Sequence, residues 1–180
     1  MPELLAFIAR DDASEADFNA LALRLFAHQF QHNTAFQKFC QQRGRTPRTV
    51  KRWQDIPAVP INGFKDLTLS CVPTQQCARV FQTSGTTRGD VKGRHWHPDL
   101  AVYDLSMTRN FRARFMAGRE RMRLGILFPD ELQMPNSSLA HYLALALHQF
   151  STPDSRYYLD SAGLQLAALC ATLVSKNFAL

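Results

Sequence analysis

Between Ala78 and His97 the chain reads ARVFQTSGTTRGDVKGRHWH. Thr83, Ser84, Thr86 and Thr87 place hydroxyls around Gly85, and Gly89, Lys92 and Gly93 follow within a few residues. Hydroxyls donate hydrogen bonds without bulk. Glycines let an anion come close to the backbone, and successive amides in such a loop turn inward to form a concave anion site. Lys92 adds a mobile positive charge. These are the needs of a polyphosphate, so the segment suits the tail of a nucleotide. The same composition also suits a hydroxyl-rich hairpin turn, and spacing alone leaves both readings open. The GxxxxGK[ST] phosphate-loop pattern does not occur.

Other reactive side chains are less telling. His95 and His97 stand one residue apart, a spacing open to zinc, but no cysteine or acid accompanies them at ligand spacing. Two histidines at a strand end are the simpler reading, and no metal site is expected. Cys40, Cys71, Cys77 and Cys170 show no CxxC spacing, which fits free buried thiols. Arg43, Arg45, Arg48, Lys51 and Arg52 form one basic run, and Arg109, Arg112, Arg114, Arg119, Arg121 and Arg123 another. Such clusters can serve an anionic partner, but no nucleic-acid-binding motif accompanies them, and a solvated surface is the plainer account. No apolar run approaches the ~18 residues of a membrane span. The start, MPELLAFIARDDASEAD, turns acidic and lacks a basic leader, so a soluble cytoplasmic protein is the expectation.

The elements that must position the loop follow from periodicity. Ser14 and Asp17 have capping-box spacing, with Asp in place of Glu or Gln. Phe18, Leu21, Ala22, Leu25, Phe26 and Phe30 then recur at helical steps. Asn33 suits the cap of a second helix carrying Phe36, Phe39 and Cys40, ended by Gly44. In WQDIPAVPINGFK, Pro57 and Pro60 favour an extended connector anchored by Ile56, Val59, Ile61 and Phe64. Short strands are expected at residues 67–72, 79–82 and 91–97, the last two flanking the loop. Pro98 suits the first turn of a helix along Leu100, Tyr103, Met107, Phe111 and Phe115. The continuous apolar run Leu124–Phe128 suits a buried parallel strand. A helix over 138–150, capped by Ser137 or Ser138, a strand at 156–159 and a last helix over 162–177 complete an α/β order. Cys170, in step with Leu166, Leu169 and Leu173, reads as core.

Thr83, Ser84, Gly85, Thr86 and Thr87, followed by Gly89 and then Lys92-Gly93, resemble the phosphate loop TSGTTGxPKG of the adenylate-forming, AMP-binding superfamily. The tail departs from that pattern. Arg88 stands where glycine is usual, Gly89 comes one place late, and Val91 replaces proline, so the loop is one residue longer. DIPAVPINGFK resembles the IP-x-x-P-x-x-x-FK segment of acyl-protein synthetases of the LuxE type, the long-chain-fatty-acid–luciferin-component ligases. ILFPDELQMPNSSLAHYL resembles their strand, loop and Ser-Ser-Leu helix start. The likeness is strongest over 53–143.

The resemblance implies ATP-dependent activation of a fatty or other carboxylic acid as an acyl-adenylate, with Mg²⁺, for transfer to a thiol on a protein or on coenzyme A. Thr83, Ser84, Gly85, Thr86, Thr87, Gly89 and Lys92 would hold the ATP phosphates, His97 would stand at the acyl pocket, and acyl-transfer proteins would be the partners. It also implies an N-terminal helical cap, residues 1–52, and a partial three-layer sheet-and-helix body with the phosphate loop, residues 53–180. Family members are expected to be about twice as long. On that expectation the chain is their N-terminal part, lacking the adenine- and ribose-binding segments. A non-catalytic module using the basic clusters, and a ligase of the phenylacetate–CoA type, are the alternatives.

Overall fold

A computed structural model describes residues 2–83 and 91–175. The chain divides between Val102 and Tyr103 into two compact units.

The first unit is built on helices. Helix α1 (Pro2–Ala9) precedes α2 (Glu15–His32) and α3 (Thr34–Gln41). The start of α2 is a complete capping box. The Asp17 amide donates to Ser14 Oγ, and the Ser14 amide donates to the Asp17 carboxylate, each at 3.1 Å. Asn33 serves two helices. Its own amide donates to Gln29 at the end of α2, and its side-chain oxygen accepts from Phe36 at the start of α3. Losing such a cap costs about 1 kcal/mol. The apolar stripes of α2 and α3 meet in a core of Phe26, Phe36, Cys40 and Val50, with Ile56, Val59 and Leu69 packed against it. Phe26 sits edge-on to both Phe30 and Phe36 at 6.0 Å. Gly44 has φ +63°, the left-handed turn that carries the chain away from α3.

The proline-bearing connector is ordered and extended as its composition requires. It is pinned at Trp53, whose amide donates to Asn19 at 2.8 Å, and it contains the short α4 (Gly63–Asp66). Residues 67–72, expected as a strand, instead run as irregular chain. Ser70 Oγ bonds the Val72 carbonyl and amide, a local loop that competes with a ladder. Strands β1 (Arg79–Gln82) and β2 (Arg94–His97) then pair antiparallel, Phe81 opposite His95 and Arg79 opposite His97.

Helix α5 (Ala101–Phe115) leads into the second unit. It begins later than Pro98 suggests because the Asp99 carboxylate accepts the Ala101 amide and starts the helix there. Ala117 and Gly118, both at positive φ, turn the chain after it. Strand β3 (Gly125–Ile126) lies parallel to β4 (Arg156–Tyr157), with α6 (Ser138–Phe150) as the crossover that a parallel pair demands. The pairing begins earlier, at a parallel bridge between Met122 and Ser151. Ser137, not Ser138, caps α6 by accepting the Ala140 amide. A small hairpin, β5 (Leu159–Asp160) and β6 (Gly163–Leu164), occupies the start of the expected last helix, so α7 runs only over Leu166–Ser175. The core here is Met107, Phe111, Met116, Ala146 and Phe150, with Phe111 and Phe150 stacked at 5.1 Å.

The fold is therefore mixed α/β. Its described strands form three separate two-stranded pieces rather than one wide sheet. Cys40 and, in part, Cys71 and Cys77 are covered, but Cys170 is exposed on α7, contrary to its reading as core. Hydrophobic spacing on a helix fixes a stripe, not what lies against it.

Candidate functional site

The hydroxyl-rich loop hangs from the β1–β2 hairpin. Past the Gln82–Arg94 pair, the Thr83 amide donates to the Gly93 carbonyl at 3.0 Å. The Gly93 amide donates in return to Thr83 Oγ1 at 2.9 Å. These two bonds close the neck and bring the ends of the loop together. Thr83 thus spends its hydroxyl oxygen on the neck, and among the described residues none is shown accepting its hydroxyl hydrogen. Space at Gly93 is tight. A Cβ there would lie 3.2 Å from the Thr83 methyl and 3.5 Å from Phe64 Cβ. Lys92, beside the neck, is exposed. Ser84, Gly85, Thr86, Thr87 and Gly89 lie outside the described residues.

Phe64, on α4, supports the neck from below. Its ring stacks on His95 at 4.1 Å and 16°. Burial lowers the pKa of His95, which favours the neutral ring in this stack. His97 shares its strand face, with its ring 6.4 Å from His95 and edge-on to Phe81 at 5.0 Å. Trp96, between them, points the other way, as strand alternation requires. It lines an apolar cleft of about 490 Å³ with Phe36, Ile56, Val59, Phe64 and Leu69. The neck and this cleft therefore share the wall at Phe64.

Five members of the two basic runs are tied into the fold, while Arg45, Arg48, Lys51, Arg114 and Arg119 are exposed. The Arg43 guanidinium lies 3.7 Å over Phe39. Arg52 pairs with Asp55, Arg121 donates to the Ser151 carbonyl, and Arg123 pairs with Asp154. Arg112 lies 5.1 Å over Phe150. Among the described residues no cluster of His, Cys, Asp and Glu suits a metal.

The second unit holds a constellation that spacing could not reveal. His141, on α6, is buried with Nδ1 2.7 Å from a Glu131 carboxylate oxygen and Nε2 2.9 Å from an Asp104 oxygen. An imidazolium donates to both at once, whereas a neutral ring donates to only one. Asp104 and His141 lie 37 residues apart, on helices that the sequence does not pair. Tyr103 adds a bond from its hydroxyl to the Ser138 carbonyl at 2.9 Å.

The family model of the LuxE acyl-protein synthetases matches residues 6–147, and the chain belongs to that family. The family's activity is that of a ligase that activates fatty acids. No curated protein matches the chain. Among the described residues no helix is long and apolar enough to cross a membrane.

Proposed function

We propose that this chain holds the triphosphate of ATP in the loop between Thr83 and Gly93 while a fatty carboxylic acid is activated. The carboxylate oxygen attacks the α-phosphorus. The bond from that phosphorus to the bridging oxygen of the β-phosphate breaks, and pyrophosphate leaves with the electron pair. The product is an acyl-adenylate. A thiol acceptor, on a protein or on coenzyme A, then takes the acyl group and releases AMP. Such a reaction asks for alignment and charge stabilisation more than for a strong base. Hydroxyls and amides over 84–89, with Lys92, supply the donors. Mg²⁺ bound to the nucleotide would help neutralise charge on the phosphates.

One observation carries the reading: the neck at Thr83 and Gly93, which joins the two ends of a donor-rich segment, is fastened by two hydrogen bonds and packed on Phe64. Preorganised donors are what stabilise developing charge. Membership of an acyl-protein synthetase family supports the acid as substrate.

The test is thermal denaturation with Mg-ATP and, separately, with a polyanion. A ligand that binds only the folded state raises the melting temperature. Mg-ATP is expected to stabilise the protein, and Thr86→Ala with Lys92→Ala to abolish the effect. Stabilisation by the polyanion alone, vanishing with salt, would overturn the reading.

A further inference from the structure

We infer that the cleft lined by Phe36, Ile56, Val59, Phe64, Leu69 and Trp96 binds the hydrocarbon chain of the acid, with its head at the neck of the loop. The inference rests on the proposed reading of that loop and adds where the substrate lies and what part of it is recognised.

The lining carries the argument. The cleft, about 490 Å³, falls in the range of about 300–1,000 Å³ common for small-molecule sites. None of its lining residues is acidic or basic. A buried charge without a partner is costly, so the cleft suits an uncharged chain and leaves the carboxylate outside. Its polar members, Gln29, Asn33, Ser70 and Cys71, are all uncharged side chains. Asn33 accepts from the Phe36 amide, and Ser70 bonds both polar groups of Val72. Burial raises the pKa of Cys71, which keeps its thiol neutral. The rest of the lining is hydrocarbon and ring.

Position carries the rest. Phe64 is at once a wall of the cleft, the stacking partner of His95 and the nearest side chain beneath Gly93 after Thr83. A chain lying along Phe64 brings its end to the base of the donor-rich loop. The acyl pocket that the sequence resemblance puts at His97 is formed, on this inference, by its neighbours Trp96 and Pro98, which line the cleft. The family's acyl substrate supplies the occupant.

The experiment uses the 180-residue chain and straight-chain carboxylic acids of increasing length, below their micelle concentrations. Trp53→Phe leaves Trp96 as the one tryptophan. Its fluorescence is expected to shift saturably, with affinity rising about fourfold per added methylene. Cys77→Ser with Cys170→Ser leaves Cys71 as the accessible thiol, Cys40 being fully buried. A bound long-chain acid is expected to slow maleimide labelling of Cys71 at least ~10-fold. A bulky maleimide attached there after folding plugs the cleft without a folding risk and should abolish the fluorescence response. Leu69→Arg should do the same.

Binding that does not grow with chain length overturns the inference, as does binding that leaves Trp96 and Cys71 untouched. Loss of binding through Leu139→Arg, in the other apolar cleft of about 380 Å³ beside Ile126, with Cys71 labelling unchanged, also overturns it. The two readings fail separately. Chain binding without a Mg-ATP response keeps the cleft and sinks the nucleotide loop. A Mg-ATP response without chain binding does the reverse.

Discussion

Gly93 shows how little room the base of the loop allows, and His95 stacks beside it on Phe64. Gly93→Val adds two methyl groups where even a Cβ meets Thr83 and Phe64. The variant should lose about 1–3 kcal/mol by overpacking, read as a lower denaturation midpoint, and should bind Mg-ATP less well. Gly93→Ala, which asks a few tenths of an ångström, should lose less. For His95, burial lowers the folded pKa below its ordinary value of 6.5. The unfolded state therefore binds the proton more readily between the two values. The contribution of the neutral stacked ring is full above the unfolded pKa and is lost as pH falls through the folded one. Unfolding followed from about pH 8 to 5 should show this acid-side loss in the wild type. His95→Phe, which keeps a ring against Phe64, should flatten it. An equal slope in both proteins would dismiss the histidine as its source.

At the scale of elements, the constellation at His141 fastens α5 to α6 and to the loop that carries Glu131. Three segments distant in sequence meet on one ring. His141→Ala leaves two partly buried carboxylates facing each other without the donor between them. The expected loss is about 1–3 kcal/mol, measured by chemical denaturation. A double-mutant cycle with Asp104→Asn should give a coupling well above zero. Additive effects would mean that the ring merely fills space. The parallel pairing of β3 with β4 depends on the same region, because α6 is its crossover and Phe150, at its end, accepts the Met122 amide.

For the whole molecule, the four thiols report on how protection is distributed. Cys170 is exposed, Cys71 and Cys77 are partly covered, and Cys40 is 0% exposed inside the first core. Labelling of the native protein should run in that order, with Cys40 reacting only when the first unit opens. Fast labelling of Cys40 under native conditions would show that the contacts of Phe26 and Phe36 do not hold that unit closed. Part of the formal charge of +6 is tied into the fold. Guanidinium groups over Phe39 and Phe150, and against Asp55 and Asp154, are committed to packing.

The sequence by itself determined what local chemistry decides. The Ser14 box, the Asn33 cap, a serine cap at 137 or 138, the span of α6 and the existence of strands flanking the loop, the second shorter than expected, were legible because each rests on residues within a few positions of one another. The loop's donor-rich composition and the family likeness were legible for the same reason. Tertiary structure decided the rest. It left 67–72 out of any ladder because Ser70 closes on its own backbone. It put a hairpin where α7 was expected to begin, and exposed Cys170 on a stripe that reads as core. It alone made the Phe64 wall, where α4 meets β2, and the clamp of His141 between Glu131 and Asp104. Those arrangements join residues whose separation along the chain carries no signal, because apolar faces and carboxylates specify that they need partners but not which ones.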